Sequence, residues 1–280
     1  FNELGIKNVP TTYEEFKKTC ATILNAGIVP IYEYVPSGWH QVLPFAMIGG
    51  RYEELHPGLF EKLNNNRIKF VDVPEMLTVL KQMKEFADLG YYGKDYMSNT
   101  GEDVNKQLAT RKYAMVTGNP GMANEIKNDF PDCKDEFGLF LIPFGDNQTY
   151  PSNPAGPARF GYKHSKNIEE IKQYFQFITR KDNLQYKLDN TPEWTNLDVT
   201  VDITQHWLPL EKELVEKIPE DKFKIILQTG VKYFNEQWME IGKDIEALYI
   251  GAITPEQILA NIDDRREKMA KIQGDPAWAK

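Results

Sequence analysis

The chain has 280 residues, 41% of them hydrophobic and 26% charged, a balance that fits a globular protein and not a disordered one. A net charge of −8 speaks against nucleic acid as a partner, because phosphate binding needs a basic surface. No apolar run approaches the roughly 20 residues that a membrane-spanning helix requires.

Thr11-Thr12-Tyr13-Glu14-Glu15 opens the first predicted helix, with Thr12 and Glu15 spaced for a capping box. Tyr13, Phe16, Cys20, Ile23 and Leu24 mark its apolar face, and Gly27 supplies the stop. Ile28 to Tyr34 follows as a short apolar strand. Trp39 to Ile48 reads as a helix closed by a turn at Gly49-Gly50. Pro74 suits the first turn of a helix with Met76, Leu80, Met83 and Ala87 on one face, ending at Gly90. A helix from about Glu102 to Thr110 precedes a strand at Tyr113 to Thr117. Gly118-Asn119-Pro120-Gly121 then turns the chain into another short helix, and Phe137 to Ile142 is again strand-like.

Residues 143–158 are rich in proline, glycine and asparagine and read as a long connection. A strand at Arg159 to His164 and a helix at Asn167 to Arg180 follow, the helix carrying Ile168, Ile171, Phe175 and Ile178 on one face. After Asp189 the pattern becomes helical, with Gly251 between a helix around Val231 to Ile250 and a last one at Pro255 to Ile272. The expected fold class is α/β with an all-helical C-terminal third.

Catalytic signatures are missing: the sequence holds no nucleophile elbow, P-loop, dinucleotide fingerprint or His-Glu-x-x-His. His40, His56, His164 and His206 are scattered and read as solvated or satisfied histidines. Adjacent carboxylates such as Glu53-Glu54 and Asp263-Asp264 point in different directions on a helix and read as solvated faces. Cys20 and Cys133 lack motif spacing, which favours free thiols over a disulfide, and no His/Cys set has zinc-ligand spacing. The aromatics say more. Trp39 follows Pro36-Ser37-Gly38 and precedes His40-Gln41, while Trp238 follows Asn235-Glu236-Gln237, both polar settings unlike a core. For each, core packing and ligand stacking are both open. Trp194, Trp207 and Trp278 are assigned to packing.

A family likeness then emerges. Glu3-Leu4-Gly5-Ile6 and Pro10-Thr11-Thr12-Tyr13-Glu14-Glu15 resemble the early second lobe of family 1 extracellular solute-binding proteins. The resemblance continues through Gly27-Ile28-Val29-Pro30-Ile31, Ala114-Met115 with Gly118-Asn119-Pro120, and Gly138-Leu139-Phe140-Leu141-Ile142-Pro143. Ser165-Lys166-Asn167 with its helix, and Gly251-Ala252-Ile253-Thr254-Pro255-Glu256, complete it. No fragment is specific alone, but their common order across the chain is.

The resemblance implies a periplasmic-binding-protein-like fold of type II, two α/β lobes joined by a hinge, with the first lobe only partly present. Residues 1–142 would open the second lobe, 143–185 would cross the hinge and add a strand and helix to the first, and 186–280 would complete the second. Phe1 in place of Met, with no signal peptide visible, fits a chain lacking roughly the first quarter to third of such a protein. The likeness also implies a ligand site at Trp39, Trp238 and Asn119, with His40, Glu33 and Arg159 as rim residues. Gly121 departs from relatives that carry tryptophan at its position, leaving one stacking platform in doubt.

The implied function is the extracytoplasmic, non-catalytic substrate-binding component of an ABC importer, closing two lobes on a carbohydrate. Its partners would be the sugar and the transporter's membrane subunits, with no cofactor and no metal. The complete protein would be a monomer, touching the membrane only through a lipid anchor on its missing N-terminus or free in a periplasm. The rival readings are a carbohydrate-active enzyme drawing a carboxylate pair from distant parts of the chain, and a truncated lobe acting as a protein-interaction module.

Overall fold

In a computed structural model of the chain, residues 1–153, 159–192, 194, 195, 197 and 199–279 are described. In chain order the elements begin α1 (Tyr13–Asn25), β1 (Val29–Tyr32), α2 (Leu43–Ala46), α3 (Gly49–Leu55), α4 (Leu59–Asn64) and α5 (Pro74–Asp88). They continue with α6 (Val104–Ala109), β2 (Tyr113–Val116), α7 (Met122–Asp129), β3 (Tyr150–Ser152), α8 (Ile168–Ile178) and α9 (Lys181–Asn190). Last come α10 (Pro209–Lys217), β4 (Phe223–Ile225), α11 (Leu227–Gly230), α12 (Trp238–Tyr249) and α13 (Pro255–Ile272). These form two compact units, the first from residues 1–117, 140–154 and 218–280, the second from 118–139 and 155–217.

The first unit is built on two small parallel sheets. β1 pairs with β2 in the register Val29↔Tyr113, Ile31↔Met115 and Tyr32↔Val116. β3 pairs with β4, Tyr150 opposite Phe223 and Ser152 opposite Ile225. Parallel neighbours need a crossover, and the helical stretch from α2 to α6 supplies it for β1 and β2. The expected capping box starts α1: Thr12 Oγ1 accepts from Glu15 N at 3.3 Å, and Glu15 Oε2 accepts from Thr12 N at 3.2 Å. Tyr13, Phe16, Cys20 and Ile23 bury its inner face, whereas Leu24 is exposed at the rim. Pro74 opens α5, and Met76, Val79, Leu80, Met83 and Phe86 form a buried stripe that packs against α2, α12 and α13. A second capping box, Thr254 with Gln257, starts α13.

The second unit contains α7, α8, α9 and α10. Ile168, Ile171, Phe175 and Ile178 share one face of α8, each half-buried, and α8 packs on α9.

Several expectations are corrected. Phe137 to Ile142 and Arg159 to His164 join no ladder among the described residues. Phe140 and Ile142 tuck their side chains against the first unit's core, the Ile142 carbonyl accepting from Asn147 Nδ2 at 3.1 Å, and Phe160 and Tyr162 stand exposed before a turn in which Ser165 N donates to Tyr162 O. An apolar run specifies burial or exposure of side chains, whereas a strand also needs a neighbour. The C-terminal third is not all helical, because β4 lies within it. The helix expected around Val231 begins only at Trp238: Tyr233 is left-handed at φ 62°, and Gln237 Nε2 donates to its carbonyl at 2.7 Å. Gly49 and Gly50 open α3 instead of turning the chain, and glycine is needed there because a Cβ on Gly49 would lie 2.6 Å from Leu227 N. Residues 154–158 of the proline- and glycine-rich stretch lie outside the described residues.

Candidate functional site

The region beyond the carboxyl ends of β1 and β2 carries an aromatic platform. Carboxyl ends of parallel strands are where ligand crevices form in open α/β sheets. After Tyr34 a single turn of 3-10 helix (Val35–Ser37) ends at Gly38, left-handed at φ 75°, which delivers Trp39 to the surface. Trp39 is 42% exposed. Its ring meets Tyr34 edge-on at 5.8 Å and His40 edge-on at 5.5 Å, while Tyr34 stacks on the His40 ring at 3.9 Å.

Trp238, the first residue of α12, stands beside this turn. Its Nε1–H donates to the Trp39 carbonyl at 3.0 Å, and its ring, half-buried, packs edge-on against Phe234. The two indoles, 199 residues apart in sequence, thus belong to one patch. Two residues that sequence reasoning missed hold them together. Gly242, one turn into α12, lets the helix approach so closely that a Cβ there would lie 1.8 Å from Gly38 O. Gln41 is fully buried and its Nε2 donates to Gly242 O at 3.0 Å and to Val35 O at 3.3 Å, fastening the turn to the helix. Tyr34, also missed, is the buried floor of the platform.

Glu33 and His40 lie under the platform and away from its surface, at 1% and 0% exposure. His40 Nδ1 is 2.5 Å from Glu33 Oε1, and His40 Nε2 is 2.7 Å from the Thr117 carbonyl just past β2. Glu33 Oε1 also accepts from Tyr34 N at 3.0 Å, and Asn99 Nδ2 donates to Glu33 O at 2.9 Å. Burial disfavours a charged imidazole, but the Glu33 carboxylate and the two hydrogen bonds outweigh it and raise the His40 pKa. Burial, aided by the Glu33 charge, also pushes the Tyr34 phenol well above its ordinary value.

Asn119 and Arg159 belong to the second unit, and both are exposed. The Asn119 side-chain carbonyl accepts from Gly121 N at 2.9 Å.

The remaining sequence candidates fall elsewhere. His56 lies 2.5 Å from Glu75 and His206 2.7 Å from Asp189, while His164 is exposed. Trp278 packs in a small core with Tyr233 and Ala270, as assigned, and Lys187 sits over the half-buried Trp194 ring. Trp207, also assigned to packing, is 38% exposed instead. Asp263 is not solvated: it is buried and accepts from Phe70 N and Val71 N at 3.0 and 3.1 Å. Glu53 likewise accepts from Gly58 N and Phe60 N. Cys20 and Cys133 are both free. Among the described residues no group of three or more His, Cys, Asp or Glu is placed to hold a metal. A concavity of 540 Å³ near the end of α13 is lined by Arg67, Lys232, Tyr233 and Asp275, none of them part of the platform. Lys232 there is already paired with Asp275 at 3.0 Å, so the platform is the better candidate site.

Solved structures share this fold. A sugar transporter protein of Bacillus licheniformis, solved in complex with stachyose, matches with a TM-score of 0.76 at 14% identity, covering 96% of this chain and 68% of that one. A binding protein of Bacillus subtilis strain 168 in an open conformation matches with a TM-score of 0.73 at 16% identity, covering 98% and 68%. A binding protein of Brucella abortus strain 2308 is 24% identical over 192 residues, which are 65% of this chain and 43% of that relative. The chain therefore spans less than half the length of the curated relative it matches. The chain belongs to the bacterial extracellular solute-binding protein family, whose model matches residues 1–185.

Proposed function

We propose that the chain belongs to the extracytoplasmic receptor of an ABC importer, and that it binds a carbohydrate without catalysis. The observation that carries this reading is the joining of Trp39 and Trp238 in one partly exposed patch beyond β1 and β2. A pyranose presents flat C–H faces to such rings and hydroxyls to a polar rim, which matches amphipathic aromatics flanked by hydrogen-bonding groups. The neighbour solved with stachyose supports an oligosaccharide as the ligand class. In this reading Trp39 and Trp238 stack on the sugar, and Glu33 and His40 serve from beneath the platform. Residues 1–142 and 186–280 would then supply most of the second lobe and 143–185 the crossing to the first, with the membrane subunits as docking partner.

Isothermal titration of the complete protein with stachyose and a mono- to tetrasaccharide series tests this. Wild type is expected to bind at least one sugar. Trp39→Ala and Trp238→Ala each remove an aromatic anchor worth about 2 kcal/mol or more, a roughly 30-fold loss of affinity. Equal affinity in wild type and both variants would withdraw the platform as the ligand site, and product formation from any of these sugars would favour the enzyme reading.

A further inference from the structure

Each nitrogen of the buried His40 ring faces an acceptor, Nδ1 the Glu33 carboxylate at 2.5 Å and Nε2 the Thr117 carbonyl at 2.7 Å. A carbonyl has no proton to give, so Nε2 must be the donor there. The Nδ1–Oε1 contact then needs a second proton, carried by Nδ1 and donated to the Glu33 carboxylate. Removing one proton leaves two lone pairs facing each other at one of the two contacts, a buried loss that water cannot repair.

The ring bears directly on the platform, since Tyr34 stacks on it and Trp39 is its neighbour in the chain. At its other end, Thr117 is the last residue of the first unit before the chain passes into the second. We propose that the Glu33–His40 pair is the positioning element of the platform, and that its shared proton decides how firmly Trp39 is held, so that solute affinity falls as that proton is lost. The consequence for a solute rests on the platform being the ligand site; the consequence for Trp39 does not.

The titratable groups facing the pair are Tyr34 from its own turn, Tyr92 from the segment after α5, and Tyr249 of α12. Burial raises all three phenols, and the Glu33 charge raises them further, so they keep their protons while the pair titrates. Asn99 and Ser37 add neutral hydrogen bonds. The sign follows from the raised histidine pKa: the stabilisation is whole below the unfolded value of about 6.5 and is lost as pH rises through the folded value.

The test records imidazole 15N shifts and acrylamide quenching of tryptophan fluorescence across neutral and alkaline pH, on the whole chain. Both His40 nitrogens are expected to carry protons below about pH 6.5 and to titrate above the ordinary histidine range. The quenching of Trp39, isolated as the difference between wild type and Trp39→Phe, is expected to rise over that same interval. His40→Gln and Glu33→Gln each lose the step, the second variant serving if the first does not fold. Stachyose affinity, titrated alongside, is expected to fall over that interval in wild type and to lose its pH dependence in the variants. A His40 ring that stays neutral throughout, or a quenching step unchanged in either variant, overturns the proposal. If stachyose and the sugar series do not bind wild type, the function reading fails, while the 15N and quenching data still decide the role of the pair.

Discussion

Gly242→Ala probes the geometry on which the platform depends. A Cβ at residue 242 would lie 1.8 Å from Gly38 O, 2.8 Å from the Gly38 carbonyl carbon and 3.3 Å from Gln41 Nε2. The two nearest obstacles are backbone atoms and cannot rotate aside. Gly38 is itself confined, being left-handed at φ 75° with Met239 Cε 2.7 Å from where its own Cβ would stand. The added methyl must therefore push α12 away from the Val35–Ser37 turn, stretching the Gln41 clasp and the bond from Trp238 to Trp39. Overpacking of this kind costs about 1–3 kcal/mol, and a weakened buried hydrogen bond adds about 1. Alanine's better helix propensity returns about 1 kcal/mol, leaving a net loss of roughly 1–3 kcal/mol. For a domain of this size that lowers the melting temperature by about 2–12 °C. Scanning calorimetry of wild type and Gly242→Ala reads the shift, with Lys243→Ala on the exposed neighbouring position as a control expected to stay within about 0.5 kcal/mol. A Gly242→Ala protein that melts with wild type or above it would mean that propensity, not close approach, governs residue 242.

Two further outcomes follow from buried groups. Asp263→Ala removes the acceptor for Phe70 N and Val71 N and leaves Arg266, 3.8 Å away and buried, without its carboxylate. Breaking such a pair costs about 3–5 kcal/mol, so urea unfolding should show a large loss, and a change under about 1 kcal/mol would contradict this account. Cys20 is fully buried and burial raises its thiol pKa, whereas Cys133 is partly exposed. Ellman's reagent should accordingly find one reactive thiol in the native protein and two in denaturant, and two fast-reacting native thiols would refute the packing of α1.

What could be read from the sequence was largely what is decided locally. The Thr12–Glu15 box, Pro74 at the head of α5 and the span of α13 rest on side chains within a few residues of the backbone groups they satisfy. Strands were less legible. β1 and β2 were anticipated, but Phe137 to Ile142 looked equally strand-like and lacks a ladder, while β4 is three residues long with both ends exposed. Pairing depends on a partner far along the chain, and nothing in Phe223-Lys224-Ile225 announces Tyr150 to Ser152.

The site divides along the same line. Trp39 and Trp238 could be singled out because their neighbours in sequence are polar, a local fact. That one indole donates to the other's carbonyl is a long-range fact, and the residues that arrange it carry no local mark. Gly242 within an amphipathic helix looks like a defect costing about 1 kcal/mol against alanine, unless Gly38 is known to press on it. The family resemblance implies that His40 and Glu33 stand at a rim, yet the tight turn folds His40 back onto the end of β1, where Glu33 and the Thr117 carbonyl occupy both its nitrogens. A buried imidazole costs stability unless both nitrogens are answered. The turn, the strand end and the chain's exit at Thr117 therefore have to be in place together before His40 can be buried, which makes the pair a consequence of the assembled unit and not of its own segment.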